Sequence, residues 1–328
     1  MSRQQMSKKL IKLGIALSTI SLFIGQNKPA QALVFNFDYS YDTEGFFSGT
    51  DGTTRRNTLE LAADYFEPLA DNLSAINSSE TDTWTPTFTH PGNGTVSYTD
   101  ATLKDLNIPA DTLVIFVGGQ DLSGSLGLGG PGGFSWSGST SFGNTVEARG
   151  QTGALNSPAT DFGPWGGSLS FDNTVTWNSD GGAPAAGEND LLSVAIHELA
   201  HLLGYGTADS WNNLVSGNNF TGDNSVDVYN NFLTSATSVP LADNAHWANN
   251  LNSLSGIPEP ALDPSLTVGT RKLLTDLDYA GLADIGWDTS AVAAVPFEFS
   301  PGLGILLMSG LFGVKQACQK IKHREQLN

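Results

Sequence analysis

Residues 191–203 are apolar at nearly every position: Leu191, Leu192, Val194, Ala195, Ile196, Leu199, Ala200, Leu202 and Leu203. A helix that is apolar almost all round is a buried helix. Asn189 or Asp190 can cap its start, and Gly204 can end it in a left-handed turn. Other stretches carry weaker patterns. Residues 34–39 alternate apolar and polar and predict a strand. Residues 54–73 place Leu59, Ala62, Phe66, Leu69 and Leu73 on one helical face, with Pro68 expected to kink or shorten the helix. Residues 83–90 and 95–99 have a strand composition around a Pro91-Gly92-Asn93-Gly94 turn, which predicts a hairpin. Residues 113–117 form a short apolar run, the mark of a central strand. Residues 168–177 alternate again, with Leu169, Phe171, Val175 and Trp177 on one face. Near the end, Leu273, Leu274, Leu277 and Ala280 or Gly281 supply the inner face of a last helix before Gly286-Trp287.

Residues 118–143 hold ten glycines and read as a long loop, either beside a site or simply on the surface. Gly127-Leu128-Gly129-Gly130-Pro131-Gly132 matches G-x-G-x-x-G, but the preceding strand ends too early and Pro131 opposes a helix start. A dinucleotide site is therefore excluded.

The two ends differ from the middle. A basic start, an apolar run over 13–25 and Ala30-Gln31-Ala32 predict a signal peptide over residues 1–32. Residues 299–314 form an uncharged, largely apolar run followed by Lys315, Lys320, Lys322 and Arg324. That pairing predicts membrane contact through the C-terminal segment, with the basic tail on the cytoplasmic side. Residues 33–314 are left with 6 basic and 32 acidic side chains. So acidic a surface repels phosphate backbones and excludes nucleic acid as a partner. Its Asp/Asn-rich loops would suit a structural Ca2+, although plain solvation accounts for the acids equally well. The only cysteine is Cys318, so an exported domain over 33–290 would have no disulfide.

The chemistry lies inside the apolar helix. Ser193, His197 and His201 are four apart, with Glu198 beside them. Positions i and i+4 share a face, so both imidazoles point at one spot. Burying two imidazoles and a carboxylate without partners is costly. Zn2+ resolves that cost: His197 and His201 ligate, and Glu198 reaches a water on the metal.

The run Gly166-Gly167-Ser168-Leu169-Ser170-Phe171-Asp172, then Trp177, then Leu191 to Leu199 resembles the matrixin-type segment of the metzincin zinc peptidases. That resemblance implies an α+β fold with a twisted mixed sheet, in which 166–172 is the edge strand and peptide substrate adds beside it. The short metzincin pattern would place its third histidine at residue 207, which here is Thr207. His323 lies in the tail and His90 in an early strand, which leaves His246. The stretch from Phe220 to Trp247 resembles secreted bacterial metallopeptidases whose third histidine is distant, a device shared with leishmanolysin-like enzymes. Two rivals stand beside His246: Asp209, by analogy with aspzincins, and a downstream glutamate, of which Glu259 is pinned between prolines. Metzincins place a methionine turn under the metal; here Ala261-Leu262-Asp263-Pro264 occupies that place, with Leu262 as stand-in.

Residues 295–301 with the run and tail behind them resemble a cyanobacterial PEP-CTERM sorting signal, which implies a sorting peptidase as partner for 291–328. The expectation is thus an exported zinc endopeptidase acting on peptide or protein. Metal ligands would be His197, His201 and His246, and Glu198 the general base. The competing reading is a non-enzymatic surface protein for adhesion or scaffolding that keeps the fold.

Overall fold

A computed structural model describes residues 33–69, 71–231, 235–251 and 259–290. The signal-peptide and sorting-signal expectations fall on residues outside these. In chain order the strands are β1 (Val34–Asp38), β2 (Thr83–Thr87), β3 (Thr112–Gln120), β4 (Gly127–Pro131), β5 (Gly133–Ser137), β6 (Gly166–Asp172), β7 (Trp177–Asn178), β8 (Asn189–Asp190), β9 (Val215–Ser216), β10 (Asn219–Phe220) and β11 (Val239–Pro240). The helices are α1 (Gly49–Asp64), α2 (Thr140–Ala148), α3 (Leu191–Leu202), α4 (Asp209–Asn212), α5 (Asp223–Asn230) and α6 (Asp276–Asp284).

The main sheet runs β1-β3-β6-β4. β1, β3 and β6 are parallel, and β4 is antiparallel to β6. The fold is α+β with a mixed sheet. β3 is buried along nearly its whole length and apolar over Leu113–Val117 because both of its faces are covered. Leu113, Ile115 and Val117 face the core shared with α1 and α3, while Val114 and Phe116 join a second core with Trp84, Phe88 and Trp165. β2 and β5 pair as a ribbon over that second core, Trp84 opposite Trp136.

Several expectations change. The helix expected over 54–73 spans Gly49–Asp64 instead. It stops short of Pro68, whose ring and missing N–H oppose a continuous helix, yet Phe66, Leu69 and Leu73 remain buried. The expected 83–90/95–99 hairpin keeps only one bridge, Phe88 to Tyr98; the true partner of β2 is β5, from the glycine-rich stretch. That stretch is not a long loop. It supplies β4 and β5. β6 is correspondingly not the edge of the sheet: it lies between β3 and β4, and β4 is the edge. The last helix begins at Asp276, where Thr275 and Asp278 form a capping box.

The ladder fixes which way β4 faces. Asp172 N–H donates to the Leu126 carbonyl at 3.0 Å and Gly132 N–H to the Gly166 carbonyl at 2.8 Å. Antiparallel pairs alternate between bonded and non-bonded, so the even-numbered residues of β4 bond to β6. Gly127, Gly129 and Pro131 turn their backbone groups to the open edge. Pro131 is tolerated there because it has no ladder bond to lose.

Candidate metal centre

α3 is held at both ends. Asp190 caps it, accepting from Ser193 N at 3.2 Å and from Ser193 Oγ at 2.6 Å. Asp190 is fully buried and pairs with Arg271, whose Nε and Nη2 reach its oxygens at 2.8 and 2.6 Å. At the far end Gly204 has φ +104°, and a Cβ there would stand 2.6 Å from the Phe162 ring. Only glycine meets both demands without strain.

His246 arrives from a different part of the chain. It follows β11, in a turn fixed by the Leu241–Trp247 bridge and by Ala242 N–H donating to the His246 carbonyl at 3.0 Å. Val239 and Trp247 are fully buried, and Trp247 packs against Tyr205, Trp211 and Phe220. This apolar anchor brings His246 to α3.

The three imidazoles converge through Nε2. The Nε2 separations are 3.0 Å for His197–His201, 3.1 Å for His201–His246 and 3.2 Å for His197–His246. Each Nδ1 faces an acceptor: the Ala261 carbonyl at 2.8 Å for His197, the Tyr205 carbonyl at 2.7 Å for His201, and the Asp243 carboxylate at 2.9 Å for His246. Those acceptors put the proton on Nδ1, which leaves three Nε2 lone pairs facing one another. Burial and the neighbouring imidazoles hold the His197 pKa well below the usual value, and burial takes His201 down to about 4. Neutral imidazoles with outward Nδ1–H bonds form a ligand set, not a hydrogen-bonded one. Nitrogens held by one tetrahedral zinc stand roughly 3.3 Å apart, from Zn–N bonds of about 2.0–2.1 Å. The spacing here is a few tenths of an ångström tighter, and the residues fit the ion.

Glu198 is buried beside the triad, and burial pushes its pKa up to about 8 while the Gly129 N–H pulls it down. Glu198 and all three histidines line a cleft of about 720 Å³. One wall is the stretch through β4, and the other is formed by residues 261–266 with Lys272. Lys272 closes the floor, bonded to Asp263, to the Ser265 carbonyl and to Glu259 at 2.8 Å.

The rivals for the third ligand end up elsewhere. Asp209 opens α4 and does not line the cleft, and Glu259 faces Lys272. The residues that follow Asp209, Ser210 and Trp211, are buried. Thr207 lines the cleft, its Oγ1 donating to the His201 carbonyl at 2.8 Å. Leu262 is fully buried, but the link from this turn to the centre is the Ala261 carbonyl. Among the described residues no second group of three His, Cys, Asp or Glu side chains converges. No helix among them is long and apolar enough to cross a membrane.

The sequence reading missed β4, Asp243 and Lys272. The Asp243-x-x-His246 spacing was a legible signal, since i and i+3 can meet within a turn. No family model matches the chain, and neither a curated protein nor a solved structure matches it.

Proposed function

We propose that the chain is a zinc-dependent endopeptidase with a metzincin-like arrangement, exported and acting on peptide or protein substrates. The observation that carries this reading is the set of three Nε2 atoms within 3.2 Å of one another, each with its Nδ1 bonded outward. His197, His201 and His246 would hold the ion. Zinc bound there supplies Lewis acidity toward water and toward the scissile carbonyl oxygen.

The chain's own residues supply the rest. Glu198, buried next to the triad, takes a proton from the attacking water and hands it to the amine nitrogen as the C–N bond breaks. The open edge of β4 offers the Gly127 backbone groups and the Gly129 carbonyl to an extended peptide, which adds as a further strand. This corrects the expectation that 166–172 receives the substrate. The membrane-contacting tail and its sorting peptidase remain part of the proposal, resting on the sequence of 291–328 alone.

A scaffold that had lost its chemistry would have no use for a buried carboxylate beside three lone pairs. The decisive experiment uses the purified full chain. Bound zinc should be near stoichiometric, unfolded protein should be degraded, and chelation should stop it. Glu198→Gln should keep the metal and lose activity by about 10²–10⁴-fold. Stoichiometric zinc with no Glu198-dependent cleavage of a broad peptide mixture would sink the enzyme reading in favour of the scaffold.

A further inference from the structure

The glycines of β4 alternate in what they face. An added Cβ on Gly127 would stand 2.4 Å from Glu198 Oε1 and 2.7 Å from its Cγ. On Gly129 it would stand 2.5 Å from the Glu198 carbonyl oxygen and 2.7 Å from its Cβ. On Gly130, between them and Pro131, it would meet nothing within 4 Å. At Gly127 and Gly129 the odd side of the strand thus lies directly on Glu198, too close for a side chain. The even side is open: Leu128 there is 47% exposed. A carboxylate buried on an apolar helix has few ways to be held in one rotamer. Here vacated Cβ positions do it.

Resting on the peptidase reading, we propose that Gly127 and Gly129 are positioning residues for Glu198, the first by leaving the space its carboxylate occupies and the second by letting the strand lie against the Glu198 carbonyl and Cβ. A methyl group on either moves the carboxylate off the line from water to leaving nitrogen. A displacement of about 1 Å costs on the order of 10²-fold in rate. That Cβ points at α3, not along the open edge, so substrate affinity is untouched.

The test uses three alanine variants of the full chain. Gly127→Ala and Gly129→Ala should retain zinc and lose about 10²-fold in kcat with KM nearly unchanged, while Gly130→Ala should match the parent. A merely structural need for glycine in the strand would instead affect all three or shift KM. A second measurement does not depend on activity. The fall in melting temperature caused by Gly127→Ala should shrink in a Glu198→Ala background, where Oε1 and Cγ are gone and only the Val194 Cγ1 contact at 2.7 Å stays, so that the two changes couple. Equal kcat in all three variants overturns the proposal. So does a Gly127→Ala penalty that ignores residue 198, or failure of both odd-position variants to fold, which would mean the glycines serve the fold. If the parent itself shows no Glu198-dependent cleavage, the peptidase reading fails, and the coupling still reports whether Gly127 seats Glu198.

Discussion

At the scale of single residues, the centre depends on partners outside the ligand set. Asp243 accepts from His246 Nδ1 and is itself half exposed, while the partners of His197 and His201 are backbone carbonyls that no substitution removes. Asp243 is therefore the one mutable outer partner among the three. Asp243→Ala should weaken zinc binding by about 10–100-fold, the usual loss when such a partner is removed. His246→Ala should weaken it much further, and Asp209→Ala should leave it as it was. Competition against a chelator of known affinity measures all three, and an Asp209→Ala protein that loses its metal would refute the assignment of His246. The triad was legible because histidine is scarce: with only 5 in the chain, few candidates remained once the helix had fixed two. Asp243 was passed over because an aspartate in an acidic chain looks like any solvated side chain until its histidine is placed.

Among elements, α3 and β4 tell opposite stories about legibility. α3 announced itself because a buried helix must be apolar on nearly every face, and its cap and terminating glycine stand where stereochemistry needs them. β4 was invisible because its signal is the absence of side chains. A strand of glycines has no alternation to detect, and the same residues ordinarily mark loops. What makes it a strand is β6 beside it and Glu198 beneath it, and both are tertiary facts. The strand expected over 168–177 begins earlier and ends at Asp172, and its expected place at the edge is taken by β4 for the same reason. α3 also depends on a contact that no local pattern shows. Arg271 lies far along the chain from Asp190, yet it is the counter-charge to the buried cap. Removing one member of a buried pair strands the other, at a cost of about 3–5 kcal/mol. Arg271→Met should lower the melting temperature sharply and loosen the first turn of α3. Hydrogen exchange at the amides of 192–195 would show it; unchanged protection there would mean that the cap holds without the guanidinium.

Across the whole molecule, two cores sit on either face of one sheet, and buried charges tie distant parts together. Arg149, fully buried, donates to carbonyls of Ser74, Thr112, Pro164 and Pro109. Asp71 makes a pH-dependent contribution. Burial, with Asp161 nearby, pushes its pKa up from 3.8 to about 7, and the Asp288 N–H only partly offsets this. The folded state therefore holds a proton that the unfolded chain releases. Stability falls as pH rises from about 4 to 7, and the penalty is complete above 7. Asp71→Asn removes it. The variant should be more stable than the parent by about 1–2 kcal/mol at pH 8, a figure reduced for solvent screening at a partly exposed site. At pH 4 the two should melt together. Thermal melts at both values decide it, and an Asn variant that melts lower at pH 8 would show that Asp71 is held as a carboxylate.

The open edge beside Glu198 is Gly127, Gly129 and Pro131. Such a border is nearly mute. It presents the backbone of two glycines and then Pro131, which has no N–H to give, and at Gly127 and Gly129 it carries no side chain on the face that meets α3. On the peptidase reading it would grip an extended backbone and distinguish little by side chain. Whatever vocabulary this cleft has must be spelled by the opposite wall, where Asp263, Pro264, Leu266 and Lys272 stand. On that reading, grip and choice would thus be lodged in separate segments of the chain, and preference could change along 263–266 without touching Arg271 or the Ala261 carbonyl that serve α3 and His197.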